Sequence, residues 1–375
     1  MGDAQCGKIR EAIDLLSFEG EPISWERYGS GHINDTFRLV CRDGEKEHLY
    51  ILQRINHEIF TDPVSLMRNI AGVTSFLREK IIAQGGDPYR ETLNIVKSRD
   101  GKDYVTDSDG NYWRGYLFIS GATCFDKVRN PDDFYQSGKA FGHFQRQLAE
   151  YPAEELTETI INFHNTPVRL ETFKKAVEED VCGRAHLVEE EIKFVMDRAD
   201  EAGAAMNMLK EGTLPLRVTH NDTKANNVLF DKVTKEPLVV IDLDTIMPGM
   251  SMYDFGDAVR FIANTSAEDE PDTSKVFFDT GKFRAFAKGF IRETKDLLTE
   301  VELKNLVKAS FSITVEQASR FLDDYLTGDH YFRYEYPKHN LVRARCQLQL
   351  AKDIEKKWSE LEWIIQDVID QLGNN

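Results

Sequence analysis

The segment from 219 to 227, which reads THNDTKANN, combines side chains that together suit one kind of chemistry. Asp222 supplies a carboxylate that can accept the proton of a hydroxyl group, and Lys224 places a cation two residues later. The amide oxygen of Asn227 can bind magnesium. Transfer of a phosphoryl group needs these functions together. The alternative is a polar turn with solvated capping side chains; the spacing favours chemistry, with Asp222 and Lys224 as catalytic candidates.

The spacing H-x-D-x-K-x-x-N is also that of the protein-kinase catalytic loop, and the residues after it predict the second half of a metal site. Apolar runs on each side of a turn-rich segment predict an antiparallel hairpin over 228–243. If Val228 faces Ile241 across this hairpin, Asn227 faces Asp242. Directly opposed residues have Cβ atoms roughly 5 Å apart, so an amide oxygen and a carboxylate could chelate one cation. Asn227 and Asp242 are therefore the predicted Mg²⁺ ligands.

A further carboxylate, Asp244, lies two residues beyond Asp242. In an extended strand it projects to the same face, where it could contact a second magnesium ion or its waters. An outer-shell acceptor or a helix cap is the alternative. Asp244 is the third candidate of the metal site.

The triplet at 254–256 spells Asp-Phe-Gly, the metal-binding motif of protein kinases. It lies on no predicted strand, whereas Asp242 directly follows an apolar β-run. We interpret the triplet as coincidental and expect Asp254 either to accept backbone N–H bonds from the 219–227 segment or to cap a helix.

A glycine-rich segment, Gly29, Ser30 and Gly31, stands between two predicted strands, as does a loop that covers nucleotide phosphates. An ordinary turn is the alternative, and Asn34 occupies the place of a third glycine. The nucleotide would be ATP, the usual phosphoryl donor of this chemistry.

The strand lysine that grips the α- and β-phosphates in protein kinases is missing. The corresponding run, 49–55, reads LYILQRI, so Gln53 or Arg54 must take its place, on opposite faces of the strand. Arg54 could instead be a solvated strand residue. Further along, the backbone of 116–121, with Phe118 within it, could bind adenine.

The elements that must position these groups divide into a strand-rich half and a helix-rich half. Strands are predicted at 24–28, 36–41, 49–55, 93–97, 104–106 and 112–119, and a helix at 64–83. Helical patterns dominate from 132, and a long helix is predicted after Pro337. The expected fold is α+β, with a small, mainly antiparallel β lobe over 1–120 and a larger helical lobe over 121–375.

Length and composition agree with a folded enzyme of about two domains. The 375 residues are 41% hydrophobic and 30% charged, which is typical of globular proteins. The net charge of −17 and pI of 5.1 argue against nucleic acid or an anionic membrane as partner, and no protein partner is indicated. Five scattered cysteines and the absence of an apolar leader predict a cytoplasmic protein.

Six segments, spread over nearly the whole chain, resemble the aminoglycoside phosphotransferase superfamily and, within it, the N-acetylhexosamine 1-kinase branch. The segment 217–224 indicates the superfamily. The others favour the branch and lie at 28–34, 50–53, 66–69, 241–249 and 336–343.

The resemblance implies a two-lobed kinase-like fold and transfer of phosphate from ATP to the anomeric hydroxyl of N-acetylglucosamine or N-acetylgalactosamine. It implies that Asp222 is the base and that Asn227 and Asp242 hold magnesium. It also implies that Asp222, His32, Arg320 and Tyr331 line the sugar pocket. From the residues alone, Arg320 lies at the end of a predicted helix and Tyr331 follows the break at Gly328, and the two offer planar donors and an aromatic surface. A surface arginine and a surface tyrosine are the alternative.

Two other functions compete with this interpretation. The first is a kinase of the same fold that acts on an amino alcohol or an aminoglycoside, which the shared loop permits. The second is a nucleotide-binding protein without activity, suggested by the missing lysine; a degenerate site would have little reason to keep base, amide, carboxylate and Lys224 together.

Overall fold

The computed structural model of the protein describes residues 3–29, 33–124 and 130–373. The first part of the chain forms α1 (Asp3–Leu15), β1 (Glu21–Arg27), β2 (Asp35–Asp43), β3 (Lys46–Arg54), α2 (Pro63–Ala83), β4 (Ile95–Val96), β5 (Val105–Thr106), β6 (Tyr112–Leu117) and β7 (Ala122–Cys124). The rest forms α3 (Pro131–Gln147), α4 (Thr166–Glu179), α5 (Glu189–Met196), α6 (Ala199–Lys210), β8 (Arg217–Thr219), β9 (Val228–Asp231), β10 (Pro237–Val240), β11 (Met247–Gly249), α7 (Ser251–Ile262), α8 (Thr280–Thr294), α9 (Glu300–Lys304), α10 (Leu306–Thr327), α11 (His339–Lys356) and α12 (Trp358–Gly373). Short 3-10 helices lie at Ala153–Glu155, Ala185–Leu187, Ala225–Asn227, Leu243–Thr245 and Thr273–Lys275.

The chain divides into two compact units. The first contains the described residues up to Thr123, together with Leu156–Ile160 and Phe230–Ile246, and the second contains the remaining described residues. A sheet dominates the first unit and helices dominate the second. The predicted α+β fold, with a mainly antiparallel β part and a helical part, is confirmed.

The main sheet of the first unit is antiparallel and has the order β1-β2-β3-β6-β4, with β5 also paired to β6. Alternating apolar side chains of β2 and β3, such as those of Leu39 and Leu52, face one side of this sheet. They pack there with Ile9 and Ile13 of α1 and with Trp113 of β6. This core fixes the register that brings Gln53 opposite Arg114.

Helix α2 begins where the sequence predicts. The Asp62 side chain accepts a hydrogen bond from the backbone N–H of Ser65 at 3.0 Å, and Pro63 takes the first helical position, where no N–H is needed. After the helix, Gly85 has a φ of +79°, a left-handed conformation that favours glycine.

Two local predictions are wrong. The hairpin predicted over 228–243 forms from β9 and β10, but its second strand stops at Val240, so Ile241 and Asp242 lie outside it. The single closing helix is instead the pair α11 and α12, divided at Lys357. No helix in the described part of the chain is long and apolar enough to cross a bilayer.

Candidate active site

The 219–227 segment leaves a short two-stranded sheet in the second unit. Strand β8 pairs with β11 in antiparallel register, with Thr219 opposite Met247. The Thr219 hydroxyl also donates to the Met247 carbonyl at 3.0 Å, which secures the last residue of the strand. The chain then enters a buried loop, in which Asn221 has a φ of +64°, a left-handed conformation that costs a non-glycine residue free energy.

The first residues of this loop are bonded to Asp254, in the first turn of α7. One carboxylate oxygen of Asp254 accepts the backbone N–H of His220, and the other accepts that of Asn221, both at 2.8 Å. Gln145 of α3 also donates to Asp254, at 2.5 Å. Burial raises the pKa of Asp254, against the lowering effects of His220 and of the two N–H groups. The expectation that Asp254 accepts backbone bonds from the loop is confirmed.

The next two backbone N–H groups are bonded as well. That of Asp222 donates to Nδ1 of His220 at 3.2 Å, and that of Thr223 donates to the Asp257 carboxylate at 2.8 Å. Asp257 is buried, yet Arg260 at 2.9 Å holds its pKa below the usual range. Four consecutive N–H groups, from 220 to 223, are therefore satisfied, and the loop is held rigidly before any ligand arrives.

The other two residues of the Asp-Phe-Gly triplet, Phe255 and Gly256, are explained by packing. Phe255 is fully buried, and its ring contacts three phenylalanines of α8. Gly256 faces the backbone of α10: a Cβ there would lie 2.7 Å from the carbonyl oxygen of Ala309. The triplet therefore anchors the loop and joins α7 to α8 and α10.

The carboxylate of Asp222 is partly exposed and has two partners in the second unit. Lys224 Nζ lies 2.8 Å from it, and the Asn227 side-chain nitrogen lies 3.3 Å from its other oxygen. Burial alone would lower the pKa of Lys224, but Asp222 raises it, so the lysine stays charged. The structure thus brings together three of the predicted residues, with a carboxylate that a hydroxyl group could reach.

Asn227 lies in the 3-10 helix Ala225–Asn227 rather than on a strand. Its side-chain nitrogen donates to the Asp222 carbonyl at 2.9 Å, which turns the amide so that the nitrogen faces the loop. The oxygen therefore points to the other side, and this is the atom that magnesium needs. Because Asp242 also lies outside a strand, the expectation that the two residues form a cross-strand pair is wrong.

Asp242 and Asp244 belong to the first unit, and they do not share the face of an extended strand as predicted. Asp242 has a φ of 60° and a ψ of 58° and precedes the 3-10 helix Leu243–Thr245, which contains Asp244. A non-glycine residue in this left-handed region is strained, and such strain is concentrated at functional sites. Among the described residues, no cluster of three or more His, Cys, Asp or Glu side chains could hold a metal ion.

The sequence analysis missed Arg114, the partner of Asp244. Arg114 lies on β6, its side chain is 2% exposed, and one of its guanidinium nitrogens lies 2.5 Å from the Asp244 carboxylate. Another donates at 2.9 Å to Gln53, whose amide nitrogen donates to Thr36. Asn34 donates to the second Asp244 oxygen at 2.6 Å. An arginine inside the apolar run 112–118 was the available signal.

The Arg114 guanidinium is charged although it is buried. Burial disfavours the charged guanidinium, but the Asp244 carboxylate outweighs it and raises the pKa of Arg114. The first unit thus has a buried cation beside Gln53, one of the two residues predicted to take the place of the protein-kinase lysine.

The other residues predicted to bind the nucleotide differ in their surroundings within the first unit. Arg54 is exposed and its guanidinium pairs with Asp35 at 2.5 Å, which agrees with a solvated strand residue. Phe118 donates its backbone N–H to the Leu49 carbonyl at 3.0 Å. Gly29 has a φ of +79°, and the predicted Ser30, Gly31 and His32 lie outside the described residues.

The sugar-pocket candidates Arg320 and Tyr331 lie together in the second unit. The Arg320 guanidinium lies over three aromatic rings, whose centroids are 5.1, 5.9 and 5.6 Å away in Phe163, Tyr331 and Phe332. Phe163 also packs edge-on against His164, with 4.6 Å between ring centroids. His164 in turn lies 3.1 Å from the carbonyl oxygen of residue 221, directly before Asp222. A chain of contacts therefore connects this aromatic and arginine-lined surface to the residue before the candidate base.

The loop that carries Tyr331 is fastened to α10 by Asp324. After α10, Gly328 has a φ of +114° and the chain folds back. The buried Asp324 carboxylate then accepts the backbone N–H groups of 330, 331 and 332 at 2.8 to 2.9 Å. Asn340 of α11 donates to the same carboxylate at 2.8 Å. The exposed Tyr331 ring is therefore presented on an anchored backbone.

Comparison with known proteins places these features in context. Residues 24–286 match the family described as "Phosphotransferase enzyme family" (APH). Similar solved structures include a microcompartment-associated aminopropanol kinase, with 16% identity, a TM-score of 0.60, and coverage of 96% of this chain and 99% of that chain. A spectinomycin phosphotransferase in complex with ADP and spectinomycin has 13% identity, a TM-score of 0.56, and coverage of 94% and 98%. An ethanolamine kinase of Plasmodium vivax has 14% identity, a TM-score of 0.53, and coverage of 88% and 82%. At these identities the likeness shows the fold alone.

Proposed function

Since the chain belongs to the phosphotransferase enzyme family, we propose that it transfers the γ-phosphoryl group of ATP to the anomeric hydroxyl of an N-acetylhexosamine. The product is the hexosamine 1-phosphate, and N-acetylglucosamine and N-acetylgalactosamine are the expected acceptors. The observation that carries the proposal is the surface around Arg320 and Tyr331, which leads through Phe163 and His164 to the loop of Asp222.

In this proposal Asp222 accepts the proton of the anomeric hydroxyl as its oxygen attacks the γ-phosphorus of ATP. The bond from the γ-phosphorus to the bridging oxygen breaks, and ADP leaves. Lys224 pairs with the Asp222 carboxylate and offsets the negative charge of the phosphoryl group. The rigid backbone from 220 to 223 holds the carboxylate in place, so little reorganisation accompanies the reaction.

Asn227 and Asp242 would hold magnesium, with Asp244 as an outer contact that Arg114 positions. When bound, magnesium neutralises charge on the phosphates of ATP. The turned amide of Asn227 and the left-handed backbone of Asp242 support this assignment.

The charges on the acceptor surface favour a neutral sugar over a cationic acceptor. Arg169 of α4 donates to the carbonyl of Phe163, whose ring also lies beside the Arg320 guanidinium. Burial lowers the pKa of Arg169, and Arg320 lowers it further. Two neighbouring guanidinium groups suit hydroxyl and carbonyl oxygens as partners, whereas they would repel an ammonium group.

An amino alcohol or an aminoglycoside is the second candidate acceptor, because similar folds include an aminopropanol kinase and an ethanolamine kinase. A screen of free N-acetylhexosamines, choline, ethanolamine and aminoglycosides with ATP and Mg²⁺ separates the two candidates. A ¹H–³¹P coupling at the anomeric proton of the product identifies the 1-phosphate. A sugar 6-phosphate, or a preference for an amine over every hexosamine, would overturn the proposed acceptor.

Arg320→Ala is expected to lower kcat/KM for the N-acetylhexosamine about 5- to 150-fold, while the KM for ATP stays near its wild-type value. The guanidinium would hydrogen-bond the sugar, so its loss leaves polar groups of the acceptor unpaired. Arg292→Ala, which removes an exposed arginine of α8, is the matched control. An equal loss for both substrates, or no loss, would contradict the role of Arg320.

Asp242→Ala is expected to weaken Mg²⁺-dependent binding of ATP, because a ligand between the protein and the phosphates is removed. Titration calorimetry with and without Mg²⁺ measures the effect. Asp254→Asn is the comparison, since Asp254 holds the loop backbone instead. If Asp254→Asn removed the Mg²⁺ dependence and Asp242→Ala kept it, the metal assignment would be wrong.

A further inference from the structure

His164 is a buried histidine, outside every motif of the sequence, with oxygen atoms at both ring nitrogens. Its Nδ1 lies 2.7 Å from a carboxylate oxygen of Glu316 on α10. Its Nε2 lies 3.1 Å from the carbonyl oxygen of Asn221 in the catalytic loop. The side chain of His164 is 12% exposed and that of Glu316 is 1% exposed. The imidazole therefore connects α10 to the residue directly before Asp222.

Both partners of His164 accept hydrogen bonds, and this determines how many protons the imidazole ring carries. A carbonyl oxygen only accepts, and an ionised carboxylate only accepts. The pKa of Glu316 is lowered, so the carboxylate is ionised. Its second oxygen accepts the hydroxyl of Thr166 at 2.6 Å, and the Tyr253 hydroxyl lies 3.1 Å from that of Thr166. A neutral imidazole has one N–H, so its other nitrogen would turn a lone pair toward an oxygen that only accepts. Only the imidazolium satisfies both.

The charges packed around His164 agree with this. Burial alone would lower the pKa of His164, and the charge of Arg320 also lowers it. The carboxylates of Glu316 and, to a smaller extent, Asp257 of α7 outweigh these effects, so the pKa is raised. The pKa of Glu316 is lowered in turn: burial opposes the ionised form, and His164 and then Arg320 overcome that effect. Within the part of the chain that the structure describes, Tyr253 of α7 also faces the ring, with centroids 6.2 Å apart.

We propose that His164 is a positioning residue that acts as an imidazolium clamp on the catalytic loop. Its N–H bond to the Asn221 carbonyl holds this residue in its left-handed conformation and so sets the direction of the Asp222 carboxylate. Asp254 and Asp257 bind N–H groups of the loop, and His164 binds a carbonyl of it. The clamp works only while both ring nitrogens carry protons.

The clamp gives activity an alkaline limit. Because the folded-state pKa lies above the ordinary value of about 6.5, the imidazolium is fully present below that value and is lost as pH rises through the folded-state pKa. Loss of the proton breaks one of the two hydrogen bonds and loosens Asn221. kcat therefore falls on the alkaline side, with a midpoint that follows the ionisation of His164. The inference rests on the proposed role of Asp222.

The first experiment is an NMR titration of the whole protein with ¹³C-labelled histidine, which reads the ring of His164 among the nine histidines whatever the acceptor is. His164→Gln and Glu316→Gln assign the signal. We expect an imidazolium at pH 7 in the wild type. A neutral ring at pH 7 would overturn the proposal, independently of whether hexosamines are phosphorylated.

The second experiment is the pH profile of kcat with the best acceptor. Glu316→Gln removes the charge that raises the pKa of His164, so the alkaline midpoint should move to lower pH. His164→Gln should lower kcat about 10- to 100-fold and abolish that limb, with a smaller change in the acceptor KM. If His164→Gln does not fold, Glu316→Gln and the wild-type titration decide.

A second histidine–glutamate pair supplies the control. His143 of α3 lies 3.3 Å from Glu293 of α8 in the same unit, and its side chain is exposed. His143→Gln and Glu293→Gln should leave the profile unchanged. A profile of Glu316→Gln that coincides with that of the wild type would refute the clamp.

Discussion

Asp222→Asn is expected to lower kcat by about 10²- to 10⁴-fold, the usual contribution of a general base, while the protein folds and binds ATP as before. The amide has the shape of the carboxylate, so the contact with the Asn227 side chain and the backbone bonds of the loop have no reason to change. What disappears is the group that accepts the proton and the negative charge that pairs with Lys224. Steady-state rates with saturating ATP and acceptor measure the loss.

The matched control for this substitution is Asp200→Asn, which changes an exposed aspartate in the first turn of α6 in the same unit. It should have a wild-type kcat. Titration calorimetry with ATP and Mg²⁺ tests whether Asp222→Asn retains nucleotide binding. Turnover of Asp222→Asn within a few-fold of the wild type would remove Asp222 from the role of base, whichever acceptor is used.

The fold, and the grouping of side chains on the loop at 219–227, were largely predictable because local sequence patterns determine them. Alternating apolar residues predicted β2 and β3, and the helical pattern of 64–83 predicted α2. The spacing of Asp222, Lys224 and Asn227 is itself a local property, since all three lie on one short loop. The bonds from Asp254 to that loop were also expected. The Asp-Phe-Gly triplet lies on no predicted strand, so Asp254 was not assigned to the metal site.

What sequence reasoning missed depends on contacts between distant segments. The hairpin register assumed an extended backbone through Asp242, but that residue adopts a left-handed conformation, which no periodicity reveals. Arg114 and Asp244 are 130 positions apart, and their pairing follows from the tertiary fold of the first unit. His164 has no motif around it; only the structure shows that both its nitrogens meet oxygen atoms.

Arg114→Met is expected to destabilise the first unit by about 3–5 kcal/mol, the usual cost of removing one partner of a buried ion pair. The Asp244 side chain is 5% exposed, so loss of the guanidinium leaves a charge that water cannot solvate. Gln53 loses a donor at the same time. Hydrogen exchange of the β3 and β6 amides measures the stability of this unit without assuming that the whole protein unfolds in one step.

The double variant Arg114→Met/Asp244→Asn decides whether charge is the cause. It removes both charges. We therefore expect it to be more stable than Arg114→Met alone, even though it carries one substitution more. Asn34 can still bond the new amide, since the Asp244 oxygen that accepts its N–H has a counterpart in asparagine. If the two substitutions instead destabilised additively, the pair would contribute through packing rather than charge. The charge of Arg114 would then not hold the Asp244 carboxylate, and Arg114 could not be the residue that positions Asp244.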